Sequence, residues 1–326
     1  MPRTATRRRA LAAALACAAM LSACTGNSDD SGAPGTPAVA PDAAQTTATS
    51  AVSAAATSSL DASAGGAAAR DKAFVGAALQ SANAYAKSLP GRTTAEKADA
   101  ELATTGVKVL AISRGGDNPQ QVLAQTTLKK TGAAVLVLLV GGQDGASFKA
   151  AAVTPMLPDA KLDALDPTSD GSAALGDGSG LSAKPDDVVA AFAASVKYPD
   201  PTSTKVLADD PLSEQLRQSA IAQSKALNNQ GAFTQEHQPK GVIGGLRLKD
   251  GKGAIVFAHL VRNDAIAMRT PVKLTPAKDL TLLTGIKQIT TEANLTSNEI
   301  IAIVIPASGQ ARIVAASDQL VAGSGR

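Results

Sequence analysis

The sequence has few aromatic residues and little of the chemistry that cysteine supplies. Aromatic side chains make up 2% of its 326 residues, and tryptophan is absent. The two cysteines are Cys17 and Cys24, so the 302 residues that follow Cys24 contain no disulfide, no thiol nucleophile and no cysteine-based metal site. Without disulfides the fold must rely on its core, and an apolar content of 44% is sufficient to build one.

A basic nucleic-acid-binding surface is also missing. The formal net charge is +3, but the four arginines within the first nine residues lie in a segment that we expect to be removed. Without them the chain has 27 basic and 28 acidic residues. It contains no long run of lysine and arginine, which is the usual footprint of nucleic-acid binding. We therefore expect no nucleic-acid partner.

Motifs of the common enzyme classes are absent as well. The chain has no G-x-S-x-G, G-x-x-x-x-G-K-[ST], G-x-G-x-x-G, H-E-x-x-H or C-x-x-C pattern. The sequence therefore predicts no catalytic residue and no cofactor, and it leaves open whether the protein is an enzyme, with a non-enzyme favoured.

The two histidines are the remaining pocket candidates. His259 in "AIVFAHL" is predicted at a sheet face or core edge, and His237 in "FTQEHQP" on a polar strand face. They lie in neighbouring predicted strands, so they could meet on one face. A two-histidine, one-carboxylate metal site with Glu236 or Asp264 stays open, although strand alternation turns Glu236 away from His237.

An acidic stretch is the other metal candidate. "DPTSDGSAALGD" places Asp166, Asp170 and Asp177 at positions 1, 5 and 12 of an EF-hand-like spacing, with Gly171 at position 6. Thr168 stands where such loops carry Asp or Asn, Asp177 replaces the long bidentate Glu, and no helix is predicted to follow. We therefore expect no metal, with these three residues as weak candidates.

What the chain does have is a lipoprotein-type N-terminus. Residues 1–23 read as a signal peptide, with an arginine-rich start and an apolar run too short to span a bilayer. The stretch Leu21-Ser22-Ala23-Cys24 resembles a bacterial lipobox, which implies cleavage between Ala23 and Cys24 and a lipid on Cys24. The membrane is thus a predicted partner, and the predicted location is the extracytoplasmic face of the cell membrane. Cleavage without lipid and export by either the Sec or the twin-arginine route remain open.

The pattern after the signal predicts a tether and two domains. Residues 24–69 are rich in Ala, Ser, Thr, Gly and Pro, which indicates a disordered tether. A first α+β domain is predicted at 70–165, a linker at 166–184 and a second α+β domain at 185–326. In each, helices should pack on an antiparallel sheet. By analogy, the second could be nuclear-transport-factor-2-like or cystatin-like.

Local signals place the elements. An amphipathic helix is predicted at 70–89, followed by strands at 107–113, 121–130, 133–140 and 147–154 with short turns, which favour a meander. In the second domain, Pro185 and Pro211 should begin helices, with Asp210 as an N-cap. Asp250-Gly251 predicts a hairpin between two strands.

The folded region resembles a family of uncharacterised lipoproteins from high-GC Gram-positive bacteria. The stretches that carry the resemblance are "RDKAFVGAALQSANAYAKSL", "VKVLAISRGGDNPQQVLAQT", "LLVGGQDGASFKAAAVTPMLP", "DALDPTSDGSAALGDGSGLSAKPDDVVAAFA" and "GAFTQEHQPKGVIGGLRLKDGKGAIVFAHLVR". The resemblance implies secretion, anchoring and a shared fold. It implies no activity, cofactor or catalytic residue.

Three functional hypotheses follow. The first is an anchored binding or accessory module of the cell envelope, whose partner is an envelope protein or a small ligand. The second is an envelope hydrolase with a site at the domain junction that uses His259 or clustered aspartates. The third is a solute-binding lipoprotein, although such proteins alternate strands and helices.

Overall fold

Two four-stranded antiparallel sheets form the framework of the fold. The computed structural model describes residues 35–117, 119–141 and 147–326. In both sheets the strands lie in chain order, so each sheet is a meander. Helices precede each sheet along the chain. The predicted α+β class with two tandem units is confirmed.

Each unit begins with helices and ends with strands. The first contains α1 Pro41–Ser59, α2 Ala64–Ala73, α3 Gly76–Ser88, α4 Thr94–Asp99, β1 Lys108–Ile112, β2 Gln120–Thr127, β3 Ala134–Gly141 and β4 Lys149–Pro155. The second contains α5 Pro185–Ser195, α6 Pro211–Leu227, β5 Gly231–Arg247, β6 Gly253–Met268, α7 Lys278–Thr284, β7 Glu292–Pro306 and β8 Arg312–Gly325. The helix α7 was not predicted.

The two sheets pack against each other and share one core. The strand β3 is buried on both faces, as its apolar run predicted, and it joins a core cluster with α1 and with alternate residues of the second sheet, such as Phe257. The intervening residues of the second sheet, such as Val256, pack instead on α5 and α6. The layers therefore run from α1 through the first sheet and the second sheet to α5 and α6.

The prediction of a disordered tether through residue 69 is wrong for α1. Pro41 begins this helix, and one of its faces carries small residues that are fully buried, such as Ala44, Ala48 and Val52. Gln45 also accepts a hydrogen bond from Val109 N–H and donates one to Val107 O. The composition suggested disorder because alanine was counted with the polar spacer residues, whereas its small side chain lets a helix approach a sheet closely.

The predicted helix at 70–89 is two helices. At Phe74 and Val75 the backbone is extended, and Val75 N–H donates to Ala150 O on β4. Gly76 then begins α3 with a φ of +61°, a conformation that glycine adopts at little cost. The hydrogen bond from Val75 to β4 thus divides the single helix that the regular spacing of apolar residues predicted.

Local signals in the second unit are confirmed. Asp210 caps α6, because its Oδ1 accepts the Ser213 N–H at 2.9 Å. The strands β5 and β6 form a hairpin across Lys249–Gly251, and Asp250 and Gly251 both have positive φ. Asp186 and Asp187 lie in the first turn of α5, as expected of acidic residues near a helix N-terminus.

The segment 166–184, predicted as a linker, is hydrogen-bonded to both sheets. Ser172 N–H donates to Ile112 O at the end of β1, and Arg247 N–H on β5 donates to Ala173 O. Leu175 N–H donates to Gly245 O. The segment therefore connects the units through a series of backbone contacts. In the described part of the chain, every helix is too short or too polar to cross a bilayer.

Candidate functional site

Charged side chains gather on the outer face of the second sheet, the face that packs on α5 and α6. Arg262 on β6 lies cross-strand from His237 on β5, and Asp264 shares its face because side chains alternate along a strand. Glu299 on β7 lies opposite Asp318 on β8. Four neighbouring strands thus assemble what we name the ion cluster: His237, Arg262, Asp264, Glu299 and Asp318.

Arg262 lies at the centre of the ion cluster. Its Nη1 lies 2.7 Å from Asp318 Oδ2 and 3.4 Å from Glu299 Oε1. Its Nε donates to Asp264 Oδ2 at 3.1 Å. The Arg262 side chain is 16% exposed, so these ion pairs are screened less than pairs on an open surface. One guanidinium therefore holds three carboxylates together.

His237 closes the buried end of the ion cluster. Its Nδ1 lies 2.6 Å from Glu299 Oε2, and its side chain is fully buried. Phe192 of α5 packs edge-on against the imidazole, with 6.1 Å between ring centroids. A carboxylate orients a histidine in this way in hydrolases. Here the imidazole is enclosed and cannot face a substrate. Its contact with Glu299 instead holds that carboxylate in position.

The ion cluster contains more acidic than basic groups. When all three carboxyls are ionised, they outnumber the cations even if His237 is protonated. Burial raises the pKa of Asp264 above its ordinary value of 3.8, and the nearby Arg262 only partly offsets this. For Arg262 itself burial lowers the pKa, but Asp318, Asp264 and Glu299 more than compensate, so its pKa is raised. Asp264 therefore keeps its proton to a higher pH than an exposed aspartate.

Two buried atoms of the ion cluster, Asp264 Oδ1 and His237 Nε2, have no hydrogen-bond partner within the described residues. Asp264 is only 7% exposed. An unpaired buried polar atom costs about 1–3 kcal/mol, so such atoms are usually satisfied by protein, water or a ligand. Asp264 also lines a cleft.

That cleft, which we name the α6 cleft, has a volume of about 360 Å³ and lies over the ion cluster. This is at the lower end of the range for small-molecule sites, about 300–1,000 Å³. Its floor includes Arg262, Asp264, Glu299 and Asp318. Its remaining walls are apolar or carry neutral polar groups; they are Leu157, Phe192, Leu212, Gln215, Leu216, Ser219, Gln223, Gln235, Ile301, Ala316 and Ser317.

The expectation that the two histidines could meet on one face is wrong. His259 lies on the inner face of the second sheet, where its Nε2 is 3.1 Å from Asn298 Oδ1, and Asn298 Nδ2 donates to Gln80 of α3. Burial lowers the pKa of His259. His237 contacts α5 on the opposite face. The pleat separates the two rings, so a two-histidine site does not form.

The acidic stretch at 166–177 does not assemble a metal site. Asp166 lies 3.9 Å from Arg114, Asp170 accepts from Ser169 Oγ, and Asp177 accepts the Ser179 N–H. Across residues 35–117, 119–141 and 147–326, no group of three or more His, Cys, Asp or Glu side chains is placed to hold a metal ion. The EF-hand-like spacing lies in a segment without helix or strand that packs on the sheets.

A second cleft, of about 280 Å³, lies between the helices of the first unit and β8. Its lining is mainly small and apolar, with Phe74, Tyr85 and Leu102 among the larger side chains. Asp318 borders this cleft as well as the α6 cleft. Its charged groups are Asp99 and Asp318, so it offers fewer fixed charges for a polar ligand than the α6 cleft.

No protein-family model, curated protein or solved structure matches this chain. The resemblance to the lipoproteins of high-GC Gram-positive bacteria therefore stays a prediction. The predicted signal peptide, the cleavage between Ala23 and Cys24, the lipid on Cys24 and the tether as far as residue 34 lie outside the described residues.

Sequence reasoning named two members of the ion cluster, His237 and Asp264, but missed Arg262, Glu299 and Asp318. A signal was present in the sequence. Arg262 and Asp264 are two apart just after the predicted hairpin, and Glu299 directly precedes the buried run "IIAIVIP". Charges on the buried face of a strand need partners, which lie on neighbouring strands. The strand register that supplies those partners could not be read from the sequence.

Proposed function

We propose that this protein is an envelope lipoprotein, anchored by a lipid on Cys24, whose folded unit binds a small ligand in the α6 cleft without transforming it. Leu21-Ser22-Ala23-Cys24 supports the anchor. The observation that carries the binding role is the cleft itself, a concave site of about 360 Å³ over a buried and charge-rich floor.

A small ligand fits the surface better than a protein partner. Among the described residues, the one large apolar side chain on the open surface is Val75, which is 38% exposed. Protein-binding surfaces usually present a contiguous apolar patch. The concave features of the described chain are the better candidates for recognition.

A hydrolase is the second candidate, and the His237–Glu299 contact is the observation in its favour. A general base must reach the proton that it removes, directly or through one water. The His237 side chain is fully buried behind Phe192, and His259 pairs with an amide rather than a carboxylate. These positions favour binding over hydrolysis.

Membrane fractionation tests the anchor. Cys24→Ala should move the protein from the membrane fraction to the soluble fraction, because the acyl chains have no attachment point. Cys17→Ala is the matched control, since this cysteine is predicted to leave with the signal peptide, and it should stay membrane-bound. Membrane retention of Cys24→Ala would contradict the anchor.

Occlusion of the cleft tests the binding role. A fragment mixture of cationic, anionic and neutral compounds is screened by ligand-observed NMR against the full chain in detergent. Ser219→Trp places an indole at the cleft and should abolish the hits, whereas Gln218→Trp, on an exposed neighbour outside the lining, should preserve them. Hits that survive Ser219→Trp, or a screen without hits, would contradict a ligand site in this cleft.

A further inference from the structure

The imbalance of charge in the ion cluster identifies the class of ligand. We propose that the α6 cleft binds a small organic cation, whose ammonium or guanidinium group pairs with Asp264 and Asp318 on the cleft side of Arg262. This inference rests on the proposed ligand-binding role. It adds the chemical class of the ligand and the two residues that recognise its charge.

The charges around the α6 cleft come from the sheet. β6 contributes Arg262 and Asp264, β7 contributes Glu299, and β8 contributes Asp318. The lining residues from α5 and α6 are uncharged. With every carboxyl ionised, the site therefore has an excess of negative charge that the helices do not offset.

Asp264 supplies the unused hydrogen-bonding capacity. Arg262 contacts its Oδ2, whereas its Oδ1 has no partner within the described chain. Asp318 lies at the rim, with 42% of its side chain exposed, so an entering ligand can meet it first. A charge-assisted hydrogen bond from an ammonium or guanidinium group to Oδ1 would satisfy the buried oxygen and balance the charge.

The lining favours an organic cation over a metal ion. Phe192, Leu212, Leu216 and Ile301 give the cleft an apolar wall opposite its charged floor. The described residues hold no cluster of ligands suited to a metal ion. A cleft of this size also exceeds what a bare ion needs, and its apolar wall can cover the carbon skeleton of an alkylammonium or alkylguanidinium.

Binding should be coupled to the release of a proton. Burial raises the pKa of Asp264 and that of Asp318, so each carboxyl keeps its proton to a higher pH than an exposed aspartate. At a pH where one of these carboxyls is protonated, the ligand cation would take the place of its proton: an O–H bond breaks, the proton passes to the buffer, and the carboxylate pairs with the cation. Affinity should therefore rise with pH through the titration of Asp264 and Asp318.

Calorimetry on the full chain in detergent tests the proposal, with agmatine and butylammonium as probes and with butyrate and butanol as anionic and neutral analogues. Only the cations should bind. Asp264→Asn and Asp318→Asn should each weaken agmatine binding about tenfold, because each removes a charged acceptor. Titrations repeated between about pH 4 and 7, upward from the ordinary range of carboxyl groups, should show the affinity for agmatine rising with pH.

Glu236→Gln is the matched control. It removes a carboxylate next to His237, but Glu236 points away from the cleft and lies 3.9 Å from Lys197, with 56% of its side chain exposed. Agmatine should bind this variant as it binds the wild type. Asp264→Asn changes a buried residue and could unfold the protein. Asp318→Asn changes a residue at the rim, so this variant should fold and still test the proposal.

Three results would overturn the proposal. These are the failure of both cations to bind, equal binding to the wild type and to Asp318→Asn, and stronger binding of butyrate or of Ca²⁺ than of agmatine. A neutral or anionic fragment that binds the cleft would remove the cation inference and leave the ligand-binding role intact. The loss of all cleft binding would remove both.

Discussion

Gln121 of the first sheet accepts a hydrogen bond from the backbone N–H of Gly245 in the second sheet, at 2.9 Å. Gln121 is buried, and the position that a Cβ on Gly244 would occupy lies 2.6 Å from its Oε1. The sheets therefore meet at a polar contact with no room for an extra methyl group. This contact links residues 124 positions apart.

Gln121→Leu should destabilise the folded unit. Leucine is similar in size but leaves the buried Gly245 N–H without its acceptor, which costs about 1–3 kcal/mol. Urea unfolding followed by circular dichroism measures the change. Gln125→Leu, on the same strand at a half-exposed position, is the control and should stay within about 0.5 kcal/mol of the wild type.

The packing of α1 gives a second prediction. Ala48 is fully buried against the core, so Ala48→Leu should overpack this contact and cost about 1–3 kcal/mol. Ala43→Leu makes the same change at an exposed position of the same helix and should be close to neutral. Equal stability of both variants in urea unfolding would mean that α1 does not contribute to the core, as the tether prediction held.

Patterns within one element were predictable from the sequence, and contacts between elements were not. The meander of β1 to β4 followed from apolar runs and short turns, and the cap at Asp210 followed from its position before Pro211. The helix α1 was missed because its buried face consists mainly of alanine, which gives a weak amphipathic signal. Its packing depends on a sheet that comes later in the chain.

The candidate site was predictable to the same extent, since local patterns were read correctly and contacts between strands were not. Strand alternation correctly turned Glu236 away from His237, since that rule is local. Whether His237 and His259 share a face depends on the register between β5 and β6, which includes irregularities on either side of Gly241. Arg262 was missed because its role is defined by three acidic residues, two of them on other strands.

Arg262→Met should be strongly destabilising. It retains much of the side-chain volume but removes the guanidinium that three carboxylates share, and breaking a buried ion pair in this way costs about 3–5 kcal/mol. Arg217→Met, in the surface pair with Glu214, should cost at most about 1 kcal/mol. Urea unfolding at neutral pH measures both.

Acid should reduce the cost of Arg262→Met, because protonation removes the repulsion among the carboxylates that the substitution leaves without their cation. The same unfolding experiment repeated at pH values down to about 4 tests this, since that is close to the ordinary range of carboxyl groups. If the loss of unfolding free energy in Arg262→Met does not change with pH, lost packing rather than unpaired charge explains the destabilisation.

The raised pKa of Asp264 predicts a specific dependence of stability on pH. A carboxyl group whose pKa is raised by folding contributes stability that is fully present below its unfolded value, close to 3.8, and is lost as the pH rises through the folded value. Asp264→Asn cannot ionise and should not lose this contribution. Its stability relative to the wild type should therefore improve as the pH is raised from about 3.5 to 7, as followed by urea unfolding.

Asp177 provides a control of opposite sign. Hydrogen bonds from Ser179, the backbone N–H first, lower the pKa of Asp177, so its contribution is present above about 3.8 and is lost as the pH falls through the folded value. Asp177→Asn should therefore lose stability relative to the wild type as the pH is raised over the same range. If both variants show the same trend, the burial of Asp264 does not disfavour its charged form, and the proton that the ligand cation would replace is not there.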